Sequence, residues 1–133
     1  MDIRNARIEP VIEHGGTCCS YFLVGKESMR QETQGSYLEF ICEFEIAPGS
    51  RLKPHYHDSH EFYYVLSGTG TMTIERETRP VQPGDLIHIP RNAVHSIAPN
   101  GLEPIRSLAF AASFMPPGGS GTEATKAPLP EKS

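Results

Sequence analysis

The chain has 133 residues and a net charge of −4, with no long run of either sign. That length suits one domain with a real core. The missing basic excess argues against nucleic acid as a partner, and no segment approaches the length of a membrane span.

The N-terminal stretch "MDIRNARIEPVIEHGG" is charged and lacks an apolar h-region, so it does not read as a signal peptide. His14 lies there beside Gly15 and Gly16, where a solvated loop histidine is expected. Cys18 and Cys19 are adjacent, and Cys42 makes the count odd. This is a poor disulfide framework and predicts reduced thiols in a cytoplasmic protein.

No segment carries an apolar pattern at helical spacing, and short alternating runs follow one another instead. "SYFLVG" is the first strand candidate. "YLEFICEFEIA" puts Leu38, Phe40, Cys42, Phe44 and Ile46 on one face, with Glu39, Ile41, Glu43 and Glu45 on the other. "EFYYVLSG", "GTMTIER", "DLIHIP", "HSIA" and "IRSLAFAASF" continue the series. The turn signals "APGS", "SGTG", "QPGD", "PRN" and "PNG" separate them. Gly68 and Gly70 are expected at positive φ in the hairpin, and Gly84 in a tight turn after Pro83. An all-β sandwich or barrel is predicted for residues 1–115. Residues 116–133 are Pro, Gly, Ser, Thr and charge with a single Leu, which predicts a disordered tail.

The segment "HYHDSHEFYYVL" holds His55, His57, His60 and Glu61. Residues two apart in a strand share a face at roughly 6.5 to 7 Å, so His55 and His57 point the same way. Glu61, Tyr63 and Val65 share one face of the following strand, and Phe62, Tyr64 and Leu66 share the other. If the first face points inward, a carboxylate enters the core, which is costly unless a cation or metal accompanies it. Histidines could supply a salt bridge; a divalent ion explains all three residues at once. A fourth ligand could come from His14, His88 or His95. His95 opens a strand as His55 does, whereas His88 suits a satisfied core or surface role. By parity His60 faces away from Glu61.

These residues resemble the two sequence motifs of the cupin superfamily. Gly49, His55, His57, Glu61 and Gly68 fill the pattern G-x5-H-x-H-x3-E-x6-G. Gly84, Pro90 and His95 match the second, G-x5-P-x-G-x2-H-x3-N. Asn92 replaces its middle glycine, a mild change because Asn tolerates the left-handed conformation. Pro99 replaces its final asparagine, with Asn100 one place late. The resemblance implies a double-stranded β-helix, or jelly-roll, barrel. It also implies a metal held by His55, His57, Glu61 and His95. Members often dimerise, and Phe62, Tyr64 and Leu66 could serve a homodimer, with packing between the sheets their more ordinary use.

Three histidines and one carboxylate leave two positions of an octahedral shell open. Without a thiolate in the set, Fe, Mn, Ni, Co or Zn is allowed. One reading is a dioxygenase acting on a small chelating, oxygenated substrate, and the open coordination pair puts it narrowly ahead. The alternative is a lyase, isomerase or cyclase that uses the ion as a Lewis acid. That class needs a general base, for which Tyr63, beside Glu61 on the inward face, is the candidate; packing in the barrel is its other use. Arg106 could meet a substrate carboxylate but reads better as a surface arginine. A non-catalytic small-molecule-binding module is the remaining alternative.

Overall fold

The computed structural model describes residues 1–33 and 35–113. The expected domain end at residue 115 and the tail 116–133 lie outside the described residues. Within them the alternating runs become antiparallel strands in two sheets. The larger sheet has the order β1-β2-β3-β9-β4-β7, and the smaller has β6-β5-β8. The strands are β1 (Val11–Glu13), β2 (Cys18–Val24), β3 (Leu38–Ile46), β4 (Ser59–Ser67), β5 (Gly70–Ile74), β6 (Glu77–Val81), β7 (Leu86–Ile89), β8 (His95–Pro99) and β9 (Ile105–Ser113). This is the jelly-roll arrangement expected from the motifs. Phe44, Val65, Met72, Ile97 and Ile105 fill the space between the sheets.

Period-two patterning sets the faces. Along β4, Glu61, Tyr63 and Val65 are buried, while Tyr64 and Leu66 are each 41% exposed. Tyr64 and Leu66 therefore do not pack between the sheets, contrary to expectation. On β9, Ile105, Ser107, Ala109 and Ala111 turn inward. Arg106 turns outward, donating to Glu43 Oε1 at 2.8 Å and Glu45 Oε2 at 3.0 Å, under the Tyr21 ring. It is thus a surface cation of the outer face, tied to its neighbours on β3.

Several elements differ from the sequence expectation, β1 among them, which no alternating run announces. Helix α1 (Lys26–Glu32) has only seven residues, too few to display a repeating apolar stripe; Met29 is its buried anchor. Strand β6 is exposed at four of its five positions. It contains Pro80 and lies at a sheet edge, where a missing N–H is tolerated. In β3, the pairing with β9 shifts register between Leu38 and Phe40. That bulge turns Leu38 outward and Glu39 inward, so Glu39 is 7% exposed and Leu38 40%.

The hairpin glycines serve different ends. Gly68 adopts φ 78°, and a Cβ there would stand 2.2 Å from Pro104 O. Gly70 has no positive φ; it is required because a Cβ would meet Ala98 O at 2.5 Å and Ile105 Cδ1 at 2.8 Å. Asn92, at the glycine position of the second motif, takes φ 64°. Its N–H donates to His57 O at 2.8 Å, joining the two motif segments. Among the described residues no helix is long and apolar enough to cross a membrane.

Candidate metal centre

Residues 47–58 leave β3 and run beside the start of β8. There His55 and His95 form an antiparallel bridge, with His95 N–H donating to His55 O at 2.9 Å and His55 N–H to His95 O at 3.2 Å. Directly paired residues project to one side, which brings their ring centroids to 4.4 Å. His57 follows two residues later, its ring 4.7 Å from that of His55 and 5.6 Å from that of His95. Glu61 enters from β4. Its Oε1 lies 3.3 Å from His95 Nε2 and 3.8 Å from His57 Nε2.

Backbone carbonyls orient two of the imidazoles. His55 Nδ1 sits 2.6 Å from Lys53 O, and His95 Nδ1 sits 3.0 Å from Ala93 O. A carbonyl only accepts, so each Nδ1 carries a proton, and in the neutral ring Nε2 keeps its lone pair for a ligand. Burial, helped by the nearby His95 and His14, pushes the His55 pKa down to about 3. Burial likewise pushes His57 down to about 4, against the pull of Glu61. For Glu61, burial raises the pKa, but the neighbouring His95 and His57 rings outweigh it and hold it low. Neutral imidazoles and an ionised carboxylate are the protonation states a metal ion needs.

The residues fit such an ion. Glu61 Oε1 and His95 Nε2 are both buried and have no hydrogen-bond partner of good geometry. A carboxylate oxygen and an imidazole lone pair facing each other require a cation or a proton between them. Among the described residues, two triplets bring ligand atoms within 4.8 Å of one another: His57, Glu61 and His95, and His14, His55 and His57. They share His57. His55 thus joins the expected set through His57 and the His95 bridge, while His14 joins from a position where a solvated role was expected. The His14 ring stacks on that of His55 with centroids 3.8 Å apart. Its only sequence signal is the pair of glycines that follows it.

The remaining histidines stay apart from the centre. His88 lies exposed on the outer face of β7, with its Nε2 2.7 Å from His60 Nδ1 and its ring stacked on Phe62. His60 follows the expectation from strand parity, and of the two roles expected for His88 the surface one is found.

A pocket of about 130 Å³ opens against the cluster. Tyr63 lies in its wall, packed on Phe44 at 4.7 Å and 6.0 Å from the His95 ring centroid. Burial and the Glu61 charge hold the Tyr63 phenol well above its usual range. Glu13, Lys26 and Glu39 also line the pocket. Sequence reasoning missed these three, because one depends on the bulge in β3 and the others on long-range docking of β1 and α1. Cys18 lines the pocket as well, and burial pushes its thiol up to about 12. Cys42 is raised for the same reason. A larger groove of about 360 Å³ lies between β6 and β7, away from either triplet.

A protein-family model described as Cupin domain matches residues 42–110, which include every expected ligand. The chain is 30% identical over 103 residues to an uncharacterized protein of Methanocaldococcus jannaschii, covering 77% of this chain and 78% of that one. It is 35% identical over 68 residues to a quercetin 2,3-dioxygenase of Bacillus subtilis, covering 50% of this chain and 20% of the relative. It is 32% identical over 91 residues to the dimethylsulfoniopropionate lyase DddW of Ruegeria pomeroyi, covering 66% of this chain and 60% of the relative. The two named enzymes are therefore each matched over less than two thirds of their length. Among solved structures, a predicted oxalate decarboxylase from Thermotoga maritima superposes with a TM-score of 0.72 at 24% identity, covering 84% of this chain and 98% of that chain. A Bacillus subtilis oxalate decarboxylase studied for its Mn(II) centers superposes at 0.64 and 22% identity, over 79% of this chain and 28% of that chain. At these identities the structural likeness speaks for the fold alone. The family match, the jelly-roll sheets and the histidine–glutamate cluster agree that the chain belongs to the cupin family.

Proposed function

We propose that this cupin is a metal-dependent enzyme for a small oxygenated organic substrate, with His55, His57, Glu61 and His95 as the ligands of one divalent ion. The observation that carries this reading is the pair of buried, unpartnered atoms, Glu61 Oε1 and His95 Nε2, 3.3 Å apart. Both are lone-pair donors, and both face the pocket cluster. When bound, the ion would polarise a substrate carbonyl or carboxylate oxygen as a Lewis acid. With about 130 Å³ available, the pocket suits a substrate of few non-hydrogen atoms rather than a fused polycycle.

Proton transfer is the chemistry these walls support best, in preference to the oxygen chemistry that sequence alone puts narrowly ahead. In place of the base expected from the sequence, Tyr63, kept a neutral phenol by burial and by Glu61, would donate its Oη proton to a substrate oxygen as the catalytic group. Glu39, turned inward by the bulge, offers a carboxylate in the same pocket that could accept one. A second reading, oxygen-dependent oxidation, draws support from the apolar wall of Phe22, Phe40 and Phe44 and from the likeness to a dioxygenase.

The deciding experiment is turnover of small hydroxy, keto and enol acids by the metal-loaded protein, with and without oxygen. Equal rates under both conditions support proton transfer, and strict oxygen dependence replaces it with the second reading. Tyr63→Phe is expected to keep its metal and lose activity; an unimpaired variant retires Tyr63.

Two secondary readings accompany this one. The three free thiols suit a reducing cytoplasm. The exposed Tyr64 and Leu66 on the outer face of β4 suit a homodimer, which sedimentation of Leu66→Lys beside the parent protein would test.

A further inference from the structure

We propose that His14 is a fifth ligand of the metal centre, delivered by the turn between β1 and β2. This rests on the metal reading above and extends it beyond the four motif residues.

Three observations carry it. First, the ligand atoms of His14, His55 and His57 lie within 4.8 Å of one another, and the His14 ring covers that of His55 at a centroid distance of 3.8 Å. His14 thus belongs to the triplet that meets the Glu61–His95 triplet at His57, and it lines the pocket.

Second, the backbone is committed to this placement. His14 has φ 52°, in the left-handed region that a non-glycine residue rarely adopts. Gly15 and Gly16 continue in it at 67° and 87°. Three consecutive left-handed residues reverse the chain between β1 and β2 and turn the imidazole toward the cluster instead of solvent.

Third, the turn is bonded to the segment that carries His55. Thr17 Oγ1 donates to His14 O at 2.7 Å and accepts from Lys53 N–H at 3.1 Å. Lys53 O in turn accepts from His55 Nδ1 at 2.6 Å. One chain of hydrogen bonds thus fixes the His14 backbone, the Lys53 peptide and the His55 ring together. Thr17 is a positioning residue in this scheme, since it reaches the metal only through the residues it holds.

A fifth protein ligand would leave less room on the ion for a small chelating anion, such as a 2-hydroxy or 2-keto acid, than the four motif residues alone.

Co(II) titration of the apo-protein, followed by calorimetry and by visible absorption, tests this without any assay of turnover. His14→Asn is the informative variant, because Asn accepts the left-handed backbone while removing the imidazole. Its unfolding in chelator should match the parent. Its Co(II) affinity should fall by about tenfold or more, the scale on which disturbing a metal site acts, with a changed absorption spectrum. Thr17→Val should weaken binding less and leave the parent spectrum. If His14→Asn binds Co(II) as tightly as the parent with the same spectrum, the fifth-ligand inference is overturned while the four-ligand centre stands. If the parent itself fails to bind Co(II), the metal reading and this inference fall together.

Discussion

Glu61 Oε1 and His95 Nε2 lie 3.3 Å apart in the core, and neither has a hydrogen-bond partner. Their elements come from different sheets: β4 belongs to the larger and β8 to the smaller. An ion held between them would therefore cross-link the two layers of the barrel as well as supply a reaction centre.

Metal content should follow the cluster and nothing else. His57→Ala and Glu61→Gln are expected to hold well under one equivalent after dialysis, while His88→Ala keeps the parent's content. Elemental analysis reads all three. Full occupancy in both cluster variants would remove the centre from further consideration. Because only the folded chain presents the site, metal at about 100 times its Kd should stabilise the protein by about 2.7 kcal/mol, seen as a higher Tm than in chelator.

The metal-free protein should lose stability in mild acid. His55 and His57 have folded pKa values of about 3 and about 4, against 6.5 for the free side chain. Their imidazoles take up protons more readily when unfolded, so the associated stability is full above pH 6.5. It declines as the pH falls from there toward 4. The low pKa of Glu61 acts in the same direction at lower pH, since its contribution is lost as the carboxylate protonates. Urea midpoints in chelator should fall steadily from pH 7 to pH 4.5. A flat profile across that range would contradict the buried, neutral histidines.

The two glycines of the β4–β5 hairpin should be intolerant of any side chain. Gly70→Ala would push a Cβ into Ala98 O and Ile105 Cδ1, at 2.5 and 2.8 Å. Overpacking of this kind costs about 1–3 kcal/mol. Gly68→Ala adds a left-handed backbone to a 2.2 Å approach to Pro104 O, so it should be the more damaging of the two. Gly101→Ala, with open space at its Cβ position, is the control. Equilibrium unfolding in urea ranks the three, and a Gly70→Ala protein as stable as the control would refute the packing account.

Strand parity is a property of the local chain, and it was sufficient to put Glu61, Tyr63 and Val65 on one face and Tyr64 and Leu66 on the other, whereas the sheet packing decided that the second face is the exposed one. The spacing of His55, His57, Glu61 and His95 was equally legible, because it matches the two family motifs position by position. So was the left-handed role of Asn92, which depends on its own backbone preference. The bulge at Leu38–Phe40 reversed two faces of an otherwise regular alternation, since it arises from pairing with β9, some 70 residues away in the chain. Helix α1 and strand β6 were hidden for a related reason: one is too short to show a period, and the other is an exposed edge with no apolar alternation. Long-range docking alone brought His14 onto His55, and Glu13, Lys26 and Glu39 into the pocket. The candidate ligands are therefore written in short-range spacing, whereas the surroundings that would select a substrate depend on contacts between distant segments, which no local pattern encodes.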